Sequence, residues 1–203
     1  QSVEIWLGGE QFSLFYGTAK EVKRSVNLKK GVTLRKIAWV SPEGKEISLQ
    51  FRRMTSFVKL PLFLQEITLT CHNYEGEVCL ISSHFGEAEN FCDPSDPRVA
   101  GEKTQYLFAD TPHCQGDISL ILAKTSRSGL SLCSGVAHAV PAGFEKQTVV
   151  KDKKAVHKIT GKSVKGKTLR FYKYSWFSDS IRCGNPEEET EKKLKKVMMQ
   201  PVE

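Results

Sequence analysis

Thiols and imidazoles crowd the middle of the chain, where Cys71-His72, Cys79, His84, Cys92 and His113-Cys114 supply the ligand types that zinc prefers. Their spacing argues against a metal. Structural zinc sites take ligand pairs about two to four residues apart on tight knuckles, whereas these ligands are adjacent or widely separated, and no CxxC occurs. Oxygen ligands for calcium exist at Glu87, Glu89, Asp93, Asp96, Asp110 and Asp117, but no EF-hand loop orders them. A solvated acidic face is expected instead, with no metal and no cofactor. Nucleophilic catalysis has little footing, because GxSxG and GDSG are absent and Ser134 shares a side with His138 only through strand parity. A hydrolase would have to unite His72, His84, His113 or His138 with a nucleophile from a distant segment.

The segment from Leu169 to Phe177 carries more information. As a strand it has two unlike faces, with Leu169, Phe171 and Phe177 on one and Arg170, Tyr172, Tyr174 and Trp176 on the other. The first suits a core. The second presents amphipathic aromatics beside a guanidinium, residue types enriched at protein interfaces and able to stack on sugars or bases. Lys165 and Lys167 in the adjoining turn would give this surface a positive rim, so Arg170, Tyr172, Tyr174, Trp176, Lys165 and Lys167 form the expected partner-binding set. The competing arrangement has the row buried, or covered by the C-terminal segment.

The net charge of +7 is unevenly spread. Residues 71–117 carry two Lys/Arg against nine Asp/Glu, while residues 151–173 carry nine Lys/Arg against Asp152 alone. A basic and an acidic pole of this kind steer charged partners and make association salt-dependent. The basic stretch could also bind a polyanion such as a heparin-like glycan or nucleic acid.

Cysteines at 71, 79, 92, 114, 133 and 183 make an even number. They imply three disulfides and an extracellular setting, with about fifteen possible pairings. The start at Gln1, with neither Met nor an apolar run, fits a chain after signal removal. Cys71 and Cys133 each close a strand-like run, and Gly129 precedes the second; this resembles the inter-sheet cysteine pair of an immunoglobulin-like β-sandwich domain over residues 66–135. The chain departs from that pattern in having Ser131 where the family has Tyr, and no Trp at a suitable distance after Cys71. Leu130 and Leu132 also alternate against Cys133, so a regular strand burying them turns the sulfur away from the core.

The elements that must position these groups are mostly strands. Glu46–Arg52 alternates polar and apolar residues, residues 32–40 are β-prone, and Ser41-Pro42-Glu43-Gly44 between them has the Pro and Gly of a tight turn. Further strands are expected at 3–7, 11–16, 66–71, 77–82, 104–109, 117–123, 129–133, 146–151, 155–160 and 167–177. Asp93-Pro94-Ser95-Asp96-Pro97 breaks any strand, since two prolines remove donors and fix φ. A helix is expected from Asn185, with Asn as N-cap, Pro186 at the first helical position and Glu187, Glu188 and Glu189 against the positive end of the dipole. Its apolar stripe of Leu194, Val197, Met198 and Met199 is narrow.

Hydrophobic content of 39% with 26% charge suits a globular chain, and no apolar run reaches the roughly 18 residues of a transmembrane helix. The fold class implied is all-β: a disulfide-bonded antiparallel β-sandwich over residues 1–184, divisible near 60–65 or 141–150, with residues 185–203 a charged helix or stalk. The function implied is a secreted or cell-surface, non-enzymatic binder of another protein, with the polyanion binder and a secreted hydrolase as alternatives.

Overall fold

The computed structural model describes residues 1–87, 91–99, 105–151 and 153–200. The strands are β1 (Ser2–Leu7), β2 (Glu10–Gln11), β3 (Thr18–Asn27), β4 (Val32–Val40), β5 (Glu46–Thr55), β6 (Leu62–Cys71), β7 (Gly76–Phe85), β8 (Leu107–Ala109), β9 (His113–Gln115), β10 (Ile118–Thr125), β11 (Ser131–Ala139), β12 (Glu145–Lys151), β13 (Lys154–Ser163) and β14 (Thr168–Asp179), followed by α1 (Pro186–Met198). They form a small sheet in the order β12-β13-β7-β1-β2 and a large one in the order β3-β4-β5-β6-β14-β11-β10-β8, with β9 also on β10. Each pairing is antiparallel. The all-β antiparallel sandwich with one C-terminal helix is therefore present. None of the helices among the described residues is long and apolar enough to cross a membrane.

Alternation decides which side chains meet between the sheets. Ile37 and Trp39 of β4, Ile47 and Leu49 of β5, and Ile67, Leu69 and Cys71 of β6 pack against Ile5 and Leu7 of β1 and Val78 and Leu80 of β7. The β4–β5 turn closes as its residues imply: Gly44 N–H donates to Ser41 O at 2.9 Å, and Gly44 takes φ of 83°, which a side chain would strain. Between the sheet edges, Lys45 Nζ bonds Glu10 Oε2 at 2.6 Å and Leu7 O at 3.0 Å, tying the β4–β5 hairpin to the β1–β2 turn.

Strand β3 is not legible from alternation. All ten of its residues are exposed, so nothing selects a face, and backbone pairing with β4 alone makes it a strand. Residues 12–16 form a loop rather than the end of the strand expected at 11–16. Glu89, residue 104 and Asp152 lie outside the described residues.

The outer face of the large sheet holds a second core, formed by Leu120, Cys133, Ala137, Tyr174 and Trp176 under Leu194 and Val197 of α1. The helix buries Pro186, Thr190, Leu194 and Val197, a stripe that repeats every three to four residues. Asn185 caps it by accepting Glu188 N–H at 3.3 Å, and Lys193 pairs with Glu189 at 3.2 Å.

All six cysteines are free, so the disulfide framework is corrected. Cys71 belongs to the inter-sheet core and Cys133 to the core beneath the helix, on opposite faces of one sheet. Two sulfurs separated by a sheet cannot meet, which also removes the cysteine pair on which the immunoglobulin resemblance stood. Cys79 is buried on β7, where it accepts Thr160 Oγ1 at 3.7 Å; Cys114 is exposed, and Cys92 and Cys183 are half-buried.

Candidate functional site

Toward one end of the sandwich the apolar interior gives way to a polar cluster. The inward parity of β7 continues past Leu80 to Ser82 and His84; β11 contributes Ser134 and His138, β10 contributes Ser119, β13 contributes His157, and β14 contributes Lys173 and Ser175. His84 is 0% exposed, His157 2%, Lys173 3% and His138 5%. Burying so many polar groups is tolerable only because they satisfy one another.

His84 links two serines, with Nδ1 2.8 Å from Ser119 Oγ and Nε2 2.8 Å from Ser134 Oγ. Ser119 Oγ also lies 2.8 Å from His157 Nε2, and His157 Nδ1 lies 2.9 Å from Thr148 Oγ1. A second branch runs from His138 Nε2 to Ser82 Oγ at 2.9 Å and on to Lys173 Nζ, which donates to Ser82 Oγ at 2.9 Å. The His138 and His157 rings join the branches with centroids 4.6 Å apart.

Burial sets the protonation states. Desolvation, reinforced by the nearby Lys173 charge, pushes His84 down to about 3 and His157 to about 4. His138 is driven well below the usual imidazole range by desolvation and then by His157. Lys173 falls to about 8 through desolvation. At neutral pH the cluster thus holds three uncharged imidazoles, mostly donating to or accepting from hydroxyls, around one ammonium.

This arrangement does not assemble a hydrolytic triad among the described residues. The Ser82–His138 pair is buried and Ser134 of the Ser134–His84 pair only half-buried, but no carboxylate bonds either imidazole among the described residues to orient it as a triad requires. The other two histidines named for a hydrolase lie elsewhere, His72 against Ser48 Oγ at 2.7 Å and His113 against Glu187 Oε1 at 2.7 Å. Glu10 and Glu66, each largely enclosed, are engaged by Lys45 at 2.6 Å and Arg52 at 3.6 Å. Among the described residues no three His, Cys, Asp or Glu side chains converge as a metal site.

The aromatic row on β14 divides by depth. Tyr174 and Trp176 are buried under α1, Tyr172 is half-buried beside them, and Arg170 is exposed at the strand's start. Trp176 Nε1 finds its partner within the protein, Ser178 Oγ at 3.1 Å. Lys165 and Lys167 are exposed in the β13–β14 turn. Tyr174 and Trp176 are therefore helix-covered core, which leaves Arg170, Lys165 and Lys167 exposed and Tyr172 half-buried. His157, Lys173, Ser82 and Ser119 were missed; their inward parity was available, but polar types do not announce burial.

With the fold and interior laid out, the relationships become informative. The profile of the family described as "Glycosyl hydrolase family 65, N-terminal domain" matches residues 1–202, and the chain belongs to this family. It is 35% identical over 187 residues to "Alpha,alpha-trehalose phosphorylase" of Geobacillus stearothermophilus, covering 91% of this chain and 24% of the relative. It is 32% identical over 114 residues to "Kojibiose phosphorylase" of Halothermothrix orenii, covering 54% of this chain and 14% of the relative. Among solved structures, one described as "Putative kojibiose phosphorylase from human microbiome" superposes with a TM-score of 0.78 at 14% identity, over 98% of this chain and 25% of that one. The chain thus spans about a quarter or less of these relatives.

Membership overturns two expectations. The chain is not an immunoglobulin-like domain but the N-terminal β-sandwich of a glycosyl hydrolase family. The non-enzymatic, protein-binding reading gives way to a carbohydrate-active enzyme family whose relatives are named phosphorylases. The disulfide-bonded description is corrected by the free cysteines, which leaves secretion without that support.

Proposed function

We propose that this chain is the supporting β-sandwich of a disaccharide phosphorylase, an enzyme that splits a glucoside such as trehalose or kojibiose with inorganic phosphate. The observation that carries the reading is the 35% identity to a trehalose phosphorylase over nearly the whole chain. The interior agrees with a supporting role, because its three histidines are buried and Glu10 and Glu66 are tied to cations. The reacting groups then belong to the part of the protein beyond these residues. An extracellular location is not retained, because it rested on the disulfides.

The test is to incubate the full-length protein carrying this chain with trehalose or kojibiose and inorganic phosphate, measuring free sugar and sugar 1-phosphate. Equimolar release of both from one disaccharide is expected, with none from residues 1–203 alone. Release of two free sugars without phosphate consumption would replace the phosphorylase by a hydrolase, and turnover by residues 1–203 alone would overturn the supporting role.

A further inference from the structure

The inner face of the large sheet extends beyond the small sheet, opening a cavity of about 420 Å³. Lys173 and Gln65, 3% and 8% exposed, lie at its floor; half-buried Arg35 forms a wall, and exposed Arg53 stands at the mouth. Phe51 and Phe63 line the same side. Strand parity places these groups together: Arg35 follows the inward series of Ile37 and Trp39, Arg53 that of Ile47 and Leu49, and Gln65 that of Ile67 and Leu69.

These cations lack counter-charges. Among the described residues no carboxylate lies within ion-pair distance of Arg35, Arg53 or Lys173, although Arg52 on the opposite face pairs with Glu66 at 3.6 Å. Arg35 Nε is buried with no hydrogen-bond partner. Directly across the ladder from Arg35 stands Arg24, and like charges directly opposite each other destabilise a sheet. Desolvation and the charges of Arg24 and Arg53 all oppose the charge on Arg35. Glu4, at the rim, is engaged by Trp6 Nε1 and Gln11 Nε2, both at 3.4 Å.

A buried guanidinium Nε without a partner and a buried ammonium facing one cavity, with a like charge across the ladder, are costly unless an anion joins them. We propose that this cavity binds a small phosphate ester, with Arg35, Arg53 and Lys173 around the phosphate and the organic portion against Phe51 and Phe63. Guanidinium forks match phosphate oxygens bidentately, which selects phosphate over chloride. A phosphate group alone would leave much of the cavity empty, and the aromatic wall suits the apolar face of a sugar ring. The proposal is independent of the phosphorylase reading.

Calorimetric titration of residues 1–203 with inorganic phosphate and with glucose 6-phosphate, at constant ionic strength, tests it. Circular dichroism first establishes that the wild type, Arg35→Met, Arg53→Met and Arg53→Lys are folded. Glucose 6-phosphate is expected to bind at least tenfold tighter than inorganic phosphate. Either Met variant should weaken it at least tenfold, with Arg53→Lys in between. Equal affinities for the two probes would overturn the ester in favour of a free-phosphate site. Binding that chloride abolishes at equal ionic strength, or that neither Met variant weakens, would overturn the site altogether.

Discussion

Gly135 of β11 and Thr190 of α1 are in direct contact, so close that a Cβ at position 135 would fall 2.5 Å from Thr190 Cγ2 and 2.6 Å from Leu194 Cδ1. The helix rests on sheet backbone at this point. Gly135→Val is expected to lift it and cost about 1–3 kcal/mol. Thermal melts and limited proteolysis near residues 180–185 check this: a lower melting temperature with faster cleavage is expected, and an unchanged protein would show that the helix is not seated there.

Trp176 lies under the same helix and is 6% exposed. Trp176→Ala should destabilise the chain by about 3–5 kcal/mol, the usual range for removing a buried large aromatic. Denaturant unfolding gives the value. A loss under about 0.5 kcal/mol would place the ring at the surface and revive the reading of β14 as a binding face.

Acid should unfold this protein early. His84, His138 and His157 are held neutral in the folded state, with Lys173, Lys146 and Asp117 among the charges facing them. Unfolded histidine takes up its proton near pH 6.5, so below that value the unfolded chain binds more protons and stability falls as pH falls. Three such groups would cost about 4 kcal/mol by pH 5.5, the loss continuing toward the folded values of about 4 and 3. Urea midpoints from pH 7.5 to 5 measure the slope, which His84→Leu should reduce by about a third. A flat profile would mean the histidines are accessible to protons in the folded state.

Lys173 works at the other end of the scale. Its folded value of about 8 lies below the ordinary 10.5, so between those values the unfolded chain again holds the extra proton. This group's contribution therefore makes stability rise with pH through that window, while below it the buried charge is a constant cost. Lys173→Met should remove the cost and raise the melting temperature at pH 7 by about 2–4 °C. A lower melting temperature would show that the bonds to Ser82 and Ser2 outweigh desolvation.

Alkylation separates the six thiols by depth. Intact mass after treatment of the unfolded, unreduced protein should show six modified cysteines. In the folded protein exposed Cys114 should react first, while Cys71 and Cys133 wait for unfolding; burial pushes the Cys133 thiol up to about 11. Any pair resisting alkylation until reduced would restore a disulfide.

Much of the frame was legible along the chain. The 46–52 alternation, the turn at 41–44 and the cap at Asn185 are local signals, and the strands and helix form where those signals stand. Strand β3 was illegible because its partner, not its own pattern, makes it extended. The aromatic row misled because alternation states which residues share a face but not what covers it. On β14 the cover is α1, and the Tyr174–Trp176 row is its bed.

Local chemistry by itself determined that this is an all-β chain with one terminal helix, since side-chain alternation, turn residues and helix caps act within a few residues. Only the tertiary structure decided the fate of the reactive groups. It placed Cys71 and Cys133 on opposite faces of one sheet, buried His84, His138 and His157 among hydroxyls, and set Lys173 and the unpartnered Nε of Arg35 beside an open cavity. Distance, burial and protonation depend on residues brought together from distant strands, and that is information no local pattern carries.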